Sequence, residues 1–253
     1  MRFVDIHAHL IPGLDDGPAS LSETLEMLRL AYDRGTRGMV ATPHMFASLG
    51  DTDILRVYDS FVAMSERLQE LARTRENEFL LEMALYHGAE NFVSPEFLQA
   101  LQNRQVLTLN GSHYLLVEFP PYLPFDIAES AVDRILEIGL IPVLAHVERY
   151  GFLDRKPSRL GELKNRGCVV QVNAESIVDR SGRGIARTLV PWFESRWVDI
   201  LASDGHNSHS RPPRMDAAYE VLAARYPETA VAAWMWQNPA RILRDRQVLS
   251  PEW

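Results

Sequence analysis

The stretch VDIHAH at residues 4–9 ends an apolar run with two histidines, His7 and His9. Residues two apart on a β-strand point to the same face, so both imidazoles would enter one site. Later apolar runs end in histidines or acids in the same way, at His44, Glu90, Glu118, His146, Asp204 and His206. Because the strand ends of a parallel α/β barrel gather on one face, we expect these side chains to converge. The sequence therefore predicts a barrel with a cluster of imidazoles and carboxylates at its mouth.

Short apolar runs alternate with helical patterns along the chain, which is typical of repeated βα units. We predict strands at residues 3–6, 38–42, 79–86, 114–119, 141–145, 168–172 and 198–202. We predict helices at residues 20–34, 53–74, 95–103, 126–138, 158–166 and 185–195, and further helices from Met215 onward. Seven strands with intervening helices indicate a seven- or eight-stranded α/β barrel. Since no linker or internal repeat divides the chain, we expect one domain over residues 1–253.

The composition of the 253-residue chain is that of an ordinary globular protein, with 46% hydrophobic and 24% charged residues. A formal net charge of −8 argues against general binding of nucleic acid or of an anionic membrane. The single cysteine, Cys168, excludes an intrachain disulfide framework. No apolar run approaches the ~18 residues of a membrane span, and the start of the sequence lacks a signal-peptide pattern. We therefore expect a cytoplasmic protein without membrane insertion.

The candidate ligands are of the types that bind divalent transition metals. They are His7, His9, Asp16, His44, Glu90, Glu118, His146, Asp204 and His206. Asp16 lies in an Asp-Asp-Gly stretch that could also be a simple turn, and His44 could be an ordinary loop histidine. Glu118 lies among apolar residues, where an unpaired charge would be costly. We interpret the set as a site for several metal ions, and its ligand types admit Mn, Fe, Zn or Co.

Two arginines accompany these residues in the sequence. Arg149 follows His146 by three residues, and Arg211 follows His206 by five. Guanidinium groups match phosphate oxygens in geometry and stay charged, so both arginines are candidates for phosphate recognition. The alternative is a surface ion pair, for which Glu148 beside Arg149 is available.

Two other kinds of phosphate chemistry find no support in the sequence. A cysteine phosphatase needs a phosphate loop after its cysteine, whereas Cys168 leads into the strand-like stretch VVQVNA. No Walker loop for nucleotide triphosphates occurs either.

The candidate ligands and the two arginines, together with the sequence around them, resemble the PHP (polymerase and histidinol phosphatase) superfamily. They are most similar to the bacterial metal-dependent protein-tyrosine phosphatases linked to capsule and exopolysaccharide synthesis. The stretches that carry the resemblance are DIHAHL, DDGP, ATPH, GAE, LLVEF, PVLAHVERY, QVN, ASDGHN with RPP, and NPARIL. The segment MFASLGD at residues 45–51 departs from the family, whose members often carry a more basic stretch there.

The resemblance implies a distorted (β/α)7 TIM-like barrel of the PHP type that holds three divalent metal ions, often manganese. One ion would take His7, His9, Glu90 and Asp204; a second Glu90, Glu118 and His146; and the third Asp16, His44 and His206. Arg149 and Arg211 match the phosphate-binding arginines of the family.

The function implied is that of a metal-dependent phosphomonoester hydrolase, a protein-tyrosine phosphatase acting on the tail of a bacterial tyrosine kinase in capsule or exopolysaccharide synthesis. A metal-activated hydroxide would attack phosphorus, and Asp204, His206 or a metal-bound water could assist departure of the leaving group. Alternatives are a small-molecule phosphatase of the histidinol-phosphatase type, a non-phosphate metal hydrolase, and a metal-binding module without turnover. The sequence leaves the oligomeric state open.

Overall fold

The computed structural model describes residues 2–46, 51–178 and 185–250. Its strands are β1 (Phe3–Ala8), β2 (Thr36–Ala41), β3 (His44–Met45), β4 (Ala84–His87), β5 (Glu90–Phe92), β6 (Tyr114–Glu118), β7 (Ile141–Leu144), β8 (Val169–Asn173) and β9 (Ile200–Ala202). They form a three-stranded sheet in the order β1-β2-β4 and a six-stranded sheet in the order β3-β5-β6-β7-β8-β9. Every pairing between neighbouring strands in these sheets is parallel.

These strand segments build one distorted barrel. Two of the barrel strands are interrupted: β2 and β3 are the two halves of one, separated at Thr42-Pro43, and β4 and β5 are the two halves of the next, separated at Gly88-Ala89. The halves pair in parallel, β2 with β4 and β3 with β5. If each interrupted strand is counted once, the barrel has seven strands. The barrel closes between its first and last strands through a parallel bridge from Ala8 to Gly205. The predicted α/β barrel is therefore confirmed, whereas the extent of one domain over residues 1–253 stays a prediction.

Helices follow the strands and cover the outside of the barrel. They are α1 (Leu21–Asp33), α2 (Asp51–Leu71), α3 (Pro95–Gln102), α4 (Phe125–Glu137), α5 (Gly151–Arg155), α6 (Ser158–Asn165), α7 (Ala174–Ile177), α8 (Ile185–Glu194), α9 (Asp216–Ala223), α10 (Glu228–Ala232) and α11 (Asn238–Ile242). Ser20 caps α1 by accepting a hydrogen bond from the Glu23 amide. Gly35, Gly139 and Gly167 follow α1, α4 and α6 with positive φ angles, as glycines that terminate helices do. In the described part of the chain no helix has the length and apolar composition needed to cross a bilayer.

The strand predicted at residues 79–86 was wrong in its first half. Residues Arg75–Glu82 form a 3₁₀ segment, and the strand begins at Ala84. The Phe79 ring is buried against Tyr32 of α1, and the guanidinium of Arg29 lies 4.2 Å from its centroid. A short buried apolar run of this kind cannot be assigned to strand or helix by periodicity alone. Residues 47–50 of the stretch MFASLGD lie outside the described residues.

The interior of the barrel is a packed core beneath the ligand-bearing strand ends. Side chains from successive strands fill it, among them Ile6, Val40, Leu116, Val143 and Ile200, each with no exposed surface. A filled interior gives the strand ends a rigid floor, because close-packed cores deform little. The barrel can therefore hold a set of polar side chains at its mouth in fixed positions.

Candidate metal centre

The carboxyl ends of the strands carry the candidate ligands, as the alternation of strands and helices predicts. His7 lies in β1 and His9 directly after it, His44 begins β3, Glu90 begins β5 and Glu118 ends β6. His146 follows β7, Asp204 and His206 follow β9, and Asp16 lies in the loop between β1 and α1. All nine fall into four overlapping groups whose ligand atoms lie within 4.8 Å of one another. The structure thus brings the whole predicted set together.

Glu90 lies at the centre of this cluster and has no exposed surface. Its Oε2 atom is 3.2 Å from His7 Nε2, 3.4 Å from His9 Nε2 and 3.1 Å from His44 Nδ1. Its Oε1 atom is 2.8 Å from His146 Nε2. One carboxylate therefore faces four imidazoles, which is the position that a group bridging two metal ions would take.

Three of the histidines are oriented in a way that suits metal binding. Each donates its Nδ1–H to an oxygen outside the cluster or at its edge: His7 to Gln171 Oε1 at 3.1 Å, His9 to Asp15 Oδ2 at 2.6 Å, and His206 to the Asp204 carbonyl at 2.8 Å. The Nε2 atoms of all three are buried without a hydrogen-bond partner in the described structure. Metal-binding histidines commonly donate their second nitrogen in this way, which fixes the ring and leaves the other nitrogen for the ion.

The buried carboxylates of the cluster favour positive charge on the groups around them. Burial lowers the pKa of His7, but the carboxylates of Glu90 and Asp204 outweigh it and raise that pKa to about 9. Burial likewise lowers the pKa of His9, but the nearby carboxylates of Asp15 and Glu90 outweigh it and raise that pKa to about 10. The buried carboxylates therefore favour positive charge beside them, which divalent cations bound to these imidazoles would supply.

Two residues of the cluster have an unusual backbone conformation. His146 has a φ angle of 31° and Asp204 a φ angle of 53°, both in the left-handed region. Residues other than glycine adopt this region at a cost of about 1–3 kcal/mol, and such strain concentrates at functional sites. In both cases it places the side chain at the mouth of the barrel, immediately after a strand.

Asp204 joins the metal cluster to the two predicted phosphate-binding arginines. Its Oδ1 atom lies 3.5 Å from His7 Nε2. Its Oδ2 atom accepts hydrogen bonds from Arg211 Nη2 at 3.0 Å and Asn173 Nδ2 at 2.8 Å, and it lies 3.0 Å from Arg149 Nη2. Both guanidinium groups therefore reach the same edge of the cluster while remaining partly exposed.

Arg149 does not form the alternative ion pair with Glu148. Glu148 is half-buried and accepts hydrogen bonds from the Asn173 amide at 2.9 Å and the Ser176 hydroxyl at 2.7 Å. Arg149 instead points into the site, towards Asp204. A surface ion pair with its neighbour thus does not account for Arg149.

A tight loop brings Arg211 back to the site after β9. Asn207 Oδ1 accepts hydrogen bonds from the amides of Ser210 and Arg211, and the His206 amide donates to the Arg211 carbonyl at 2.8 Å. Gly205 allows the close approach of this loop, because a Cβ there would lie 2.7 Å from Pro213. The loop sequence therefore fixes the distance between the candidate ligand His206 and Arg211.

Sequence reasoning missed three residues that hold the candidate ligands in place. Asp15 was interpreted only as part of a turn, and no role was given to Gln171 and Asn173 of β8. Gln171 Oε1 accepts from His7 Nδ1 and from the His146 amide, and its Nε2 donates to Asn173 Oδ1 at 2.8 Å. The available signal was two polar residues, two apart, in an otherwise apolar strand.

Asp15→Asn is expected to weaken metal binding about 10- to 100-fold, the usual effect of losing a partner of a ligand histidine. Asp15 Oδ2 accepts from His9 Nδ1 and from the His44 amide at 2.9 Å, and Oδ1 accepts from the Gly17 amide at 3.0 Å. The asparagine amide would turn one of these acceptors into a donor facing an N–H group. Titration of metal into the metal-free protein measures the change, with the surface variant Asp33→Asn as control. Equal affinity in both variants would remove Asp15 from this role.

Cys168→Ser is expected to leave catalysis unchanged. The thiol is 1% exposed and lies directly before β8, at the opposite end of the barrel from the candidate ligands. Burial raises its pKa to about 12, so it carries no thiolate near neutral pH. Phosphate release measured before and after treatment with iodoacetamide, in the variant and the original chain, checks this. Inactivation of the original chain alone would indicate a thiol mechanism.

Comparison with known proteins points to one group. The family model described as "Capsular polysaccharide synthesis, CpsB/CapC" matches residues 3–244. The tyrosine-protein phosphatase CpsB of Streptococcus pneumoniae is 30% identical over 250 residues, covering 97% of this chain and 100% of the relative. The tyrosine-protein phosphatase YwqE of Bacillus subtilis is 28% identical over 246 residues, covering 97% and 93%.

A solved structure shares the whole fold. It comes from the crystal structures of YwqE from Bacillus subtilis and CpsB from Streptococcus pneumoniae, described as unique metal-dependent tyrosine phosphatases. It superposes with a TM-score of 0.85 at 28% identity, covering 98% of this chain and 96% of the other. The two chains therefore share the fold over nearly their whole length.

Proposed function

The chain belongs to the CpsB/CapC family of capsular polysaccharide synthesis proteins, and on that basis we propose that it is a metal-dependent protein-tyrosine phosphatase. The observation that carries the proposal is the set of buried imidazoles around Glu90. In His7, His9 and His206 the Nδ1 atom donates to an oxygen, and the Nε2 atom is buried without a hydrogen-bond partner in the described structure, which leaves it for a metal ion. Two arginines at the edge of this set supply a site for phosphate oxygens.

Four groups of candidate ligand atoms support the three-metal arrangement implied by the family, although Glu118 groups with His44 and His146 groups with His7. One ion would take His7, His9, Glu90 and Asp204; a second Glu90, Glu118 and His146; and the third Asp16, His44 and His206. Manganese is our first choice, and the mixture of imidazole and carboxylate ligands also suits Fe, Zn or Co. When bound, such ions supply hydroxide at neutral pH and neutralise charge on the phosphoryl group.

Arg149 and Arg211 would bind the phosphoryl oxygens. Both now share Asp204 Oδ2, which leaves further N–H groups of each guanidinium for a ligand. Donors that are already in place before charge develops in the transition state cost no reorganisation during the reaction. Asp204 holds the arginines with one oxygen and faces the metal cluster with the other, so it sets the distance between the two parts of the site.

The leaving group in this reaction is a phenolate. A tyrosyl phenol has a pKa near ~10, so its oxygen departs more readily than an alkoxide and needs less protonation. Assistance from Asp204 or His206 stays a prediction.

The substrate we propose is a phosphotyrosine in a protein, on the exposed tail of a bacterial tyrosine kinase that acts in capsule or exopolysaccharide synthesis. The site opens to solvent along Asp16, His44 and Glu118, which are the more exposed of the ligands. A flexible tail can reach such an opening with its side chain while its backbone stays outside. Because the kinase consumes ATP, enzyme and substrate would meet in the cytoplasm.

Phosphate release from a phosphotyrosyl peptide tests this function, with histidinol phosphate and an amide substrate as comparators. We expect metal-dependent release from the peptide and little turnover of the other two. Preference for histidinol phosphate would move the enzyme to small-molecule metabolism, and amide hydrolysis alone would indicate a non-phosphate hydrolase. Absence of all three activities in the metal-loaded protein would favour a binding module.

A further inference from the structure

Two aromatic rings lie at the solvent-facing edge of the metal centre. Phe46 is 54% exposed, although it is a large apolar side chain. Its ring centroid is 5.7 Å from that of His44 and 5.4 Å from that of Phe92. Phe92 ends β5 and is paired in register with Glu118 on β6. Both rings therefore adjoin ligand positions on the open side of the site, where His44 is 21% exposed and Glu118 19%.

The positions of the two rings follow from the alternation of side chains on a strand. Phe46 follows the ligand His44 by two residues, and Phe92 follows the ligand Glu90 by two. Residues two apart in extended chain point to the same side, so each ring lies one step further towards solvent than its ligand. A single exposed phenylalanine needs no explanation by itself, but two in contact beside a catalytic cluster form an apolar surface at its entrance.

We infer that Phe46 and Phe92 bind the phenyl ring of the phosphotyrosine and thereby select aryl over alkyl phosphates. The inference rests on the proposed function, because it assigns the part of the substrate outside the phosphoryl group. In phosphotyrosine the ester oxygen joins phosphorus directly to the ring, so a phosphoryl group held by the metals and arginines leaves the ring at the entrance. In phosphoserine a single methylene follows the ester oxygen, and nothing would contact Phe46.

The arrangement of the rings suits such a ligand. Aromatic pairs prefer tilted or offset geometries with centroids about 4.5–7 Å apart. Phe46 and Phe92 are already tilted by 48°, and the exposed part of Phe46 remains open to a third ring. Phe92 is partly buried and supports Phe46, so Phe46 is the residue to change.

Two phosphonates that differ only in the ring test the inference. Binding of phenylphosphonate and methylphosphonate to the manganese-loaded protein is measured by calorimetry. We expect the original chain to bind the phenyl compound about tenfold more tightly, and Phe46→Ala to lose this preference. Affinity for methylphosphonate should stay unchanged in that variant. Phe46→Tyr should keep the preference, and Ile127→Ala, a 45% exposed position on α4, serves as the matched surface control.

Each result decides between the ring site and its alternatives. Equal affinity for the two compounds in the original chain, or an undiminished preference in Phe46→Ala, would overturn the inference while leaving the phosphatase proposal intact. Equal loss of both affinities in Phe46→Ala would also overturn it, since Phe46 would then act by supporting His44. If the original chain bound neither compound, the proposed phosphate site itself would be wrong.

Discussion

Glu90→Gln is expected to abolish turnover and to remove most of the bound metal. The carboxylate has no exposed surface, and its two oxygens face His7, His9, His44 and His146 at 2.8–3.4 Å. The glutamine keeps the shape but presents an amide N–H₂ group and no negative charge to the ions. Even partners of ligands alter metal affinity about 10- to 100-fold, so losing a bridging ligand should cost more than about a hundredfold.

Elemental analysis and phosphate release on the same sample measure both effects of Glu90→Gln. Glu162→Gln, a surface carboxylate that pairs with Lys156, is the matched control and should retain metal and activity. Near-normal metal content and turnover in the Glu90 variant would remove this residue from the site. A folded variant is shown by an unchanged circular dichroism spectrum.

Arg149→Ala and Arg211→Ala are each expected to lower kcat/KM for a phosphotyrosyl peptide about 10²- to 10³-fold, with the metal content unchanged. Removing one preorganised donor from a developing oxyanion costs about 3–4 kcal/mol in comparable sites. Each arginine contributes a guanidinium 3.0 Å from the same Asp204 oxygen, so the two act on one edge of the cluster. The double variant should lose less than the product of the single losses, because neighbouring groups are not independent.

Lysine in place of either arginine should recover little activity, since a point charge cannot make the paired hydrogen bonds of a guanidinium. Arg67→Ala on the exposed surface of α2 is the matched control. Competition by orthophosphate gives the second measurement. Undiminished affinity for orthophosphate in Arg149→Ala would show that this side chain does not contact the phosphoryl group.

The convergence of the candidate ligands is the part of the molecule that the sequence predicts best. His7, His146 and Asp204 each end an apolar run, and a parallel barrel brings such ends together whatever their spacing along the chain. The pattern needs only the local alternation of strand and helix. The structure keeps that alternation even where two barrel strands are interrupted near Pro43 and Gly88.

The supporting residues were harder to predict because their roles depend on contacts between distant segments. Gln171 accepts a hydrogen bond from His7, which is 164 residues away in sequence, and Asn173 donates to Asp204. Neither residue type indicates metal binding by itself, and only the closed barrel places them behind the ligands. Phe79 was assigned to a strand for a similar reason: its burial comes from packing against α1, which local sequence does not reveal.

Phosphate release from a phosphotyrosyl peptide, measured together with bound metal during chelation and re-addition of manganese, shows whether phosphatase activity depends on the metal cluster. We predict that activity disappears as metal is removed and returns in proportion to the metal restored, up to about three ions per chain, the number that the family resemblance implies. Full activity in protein shown to be free of metal would contradict it.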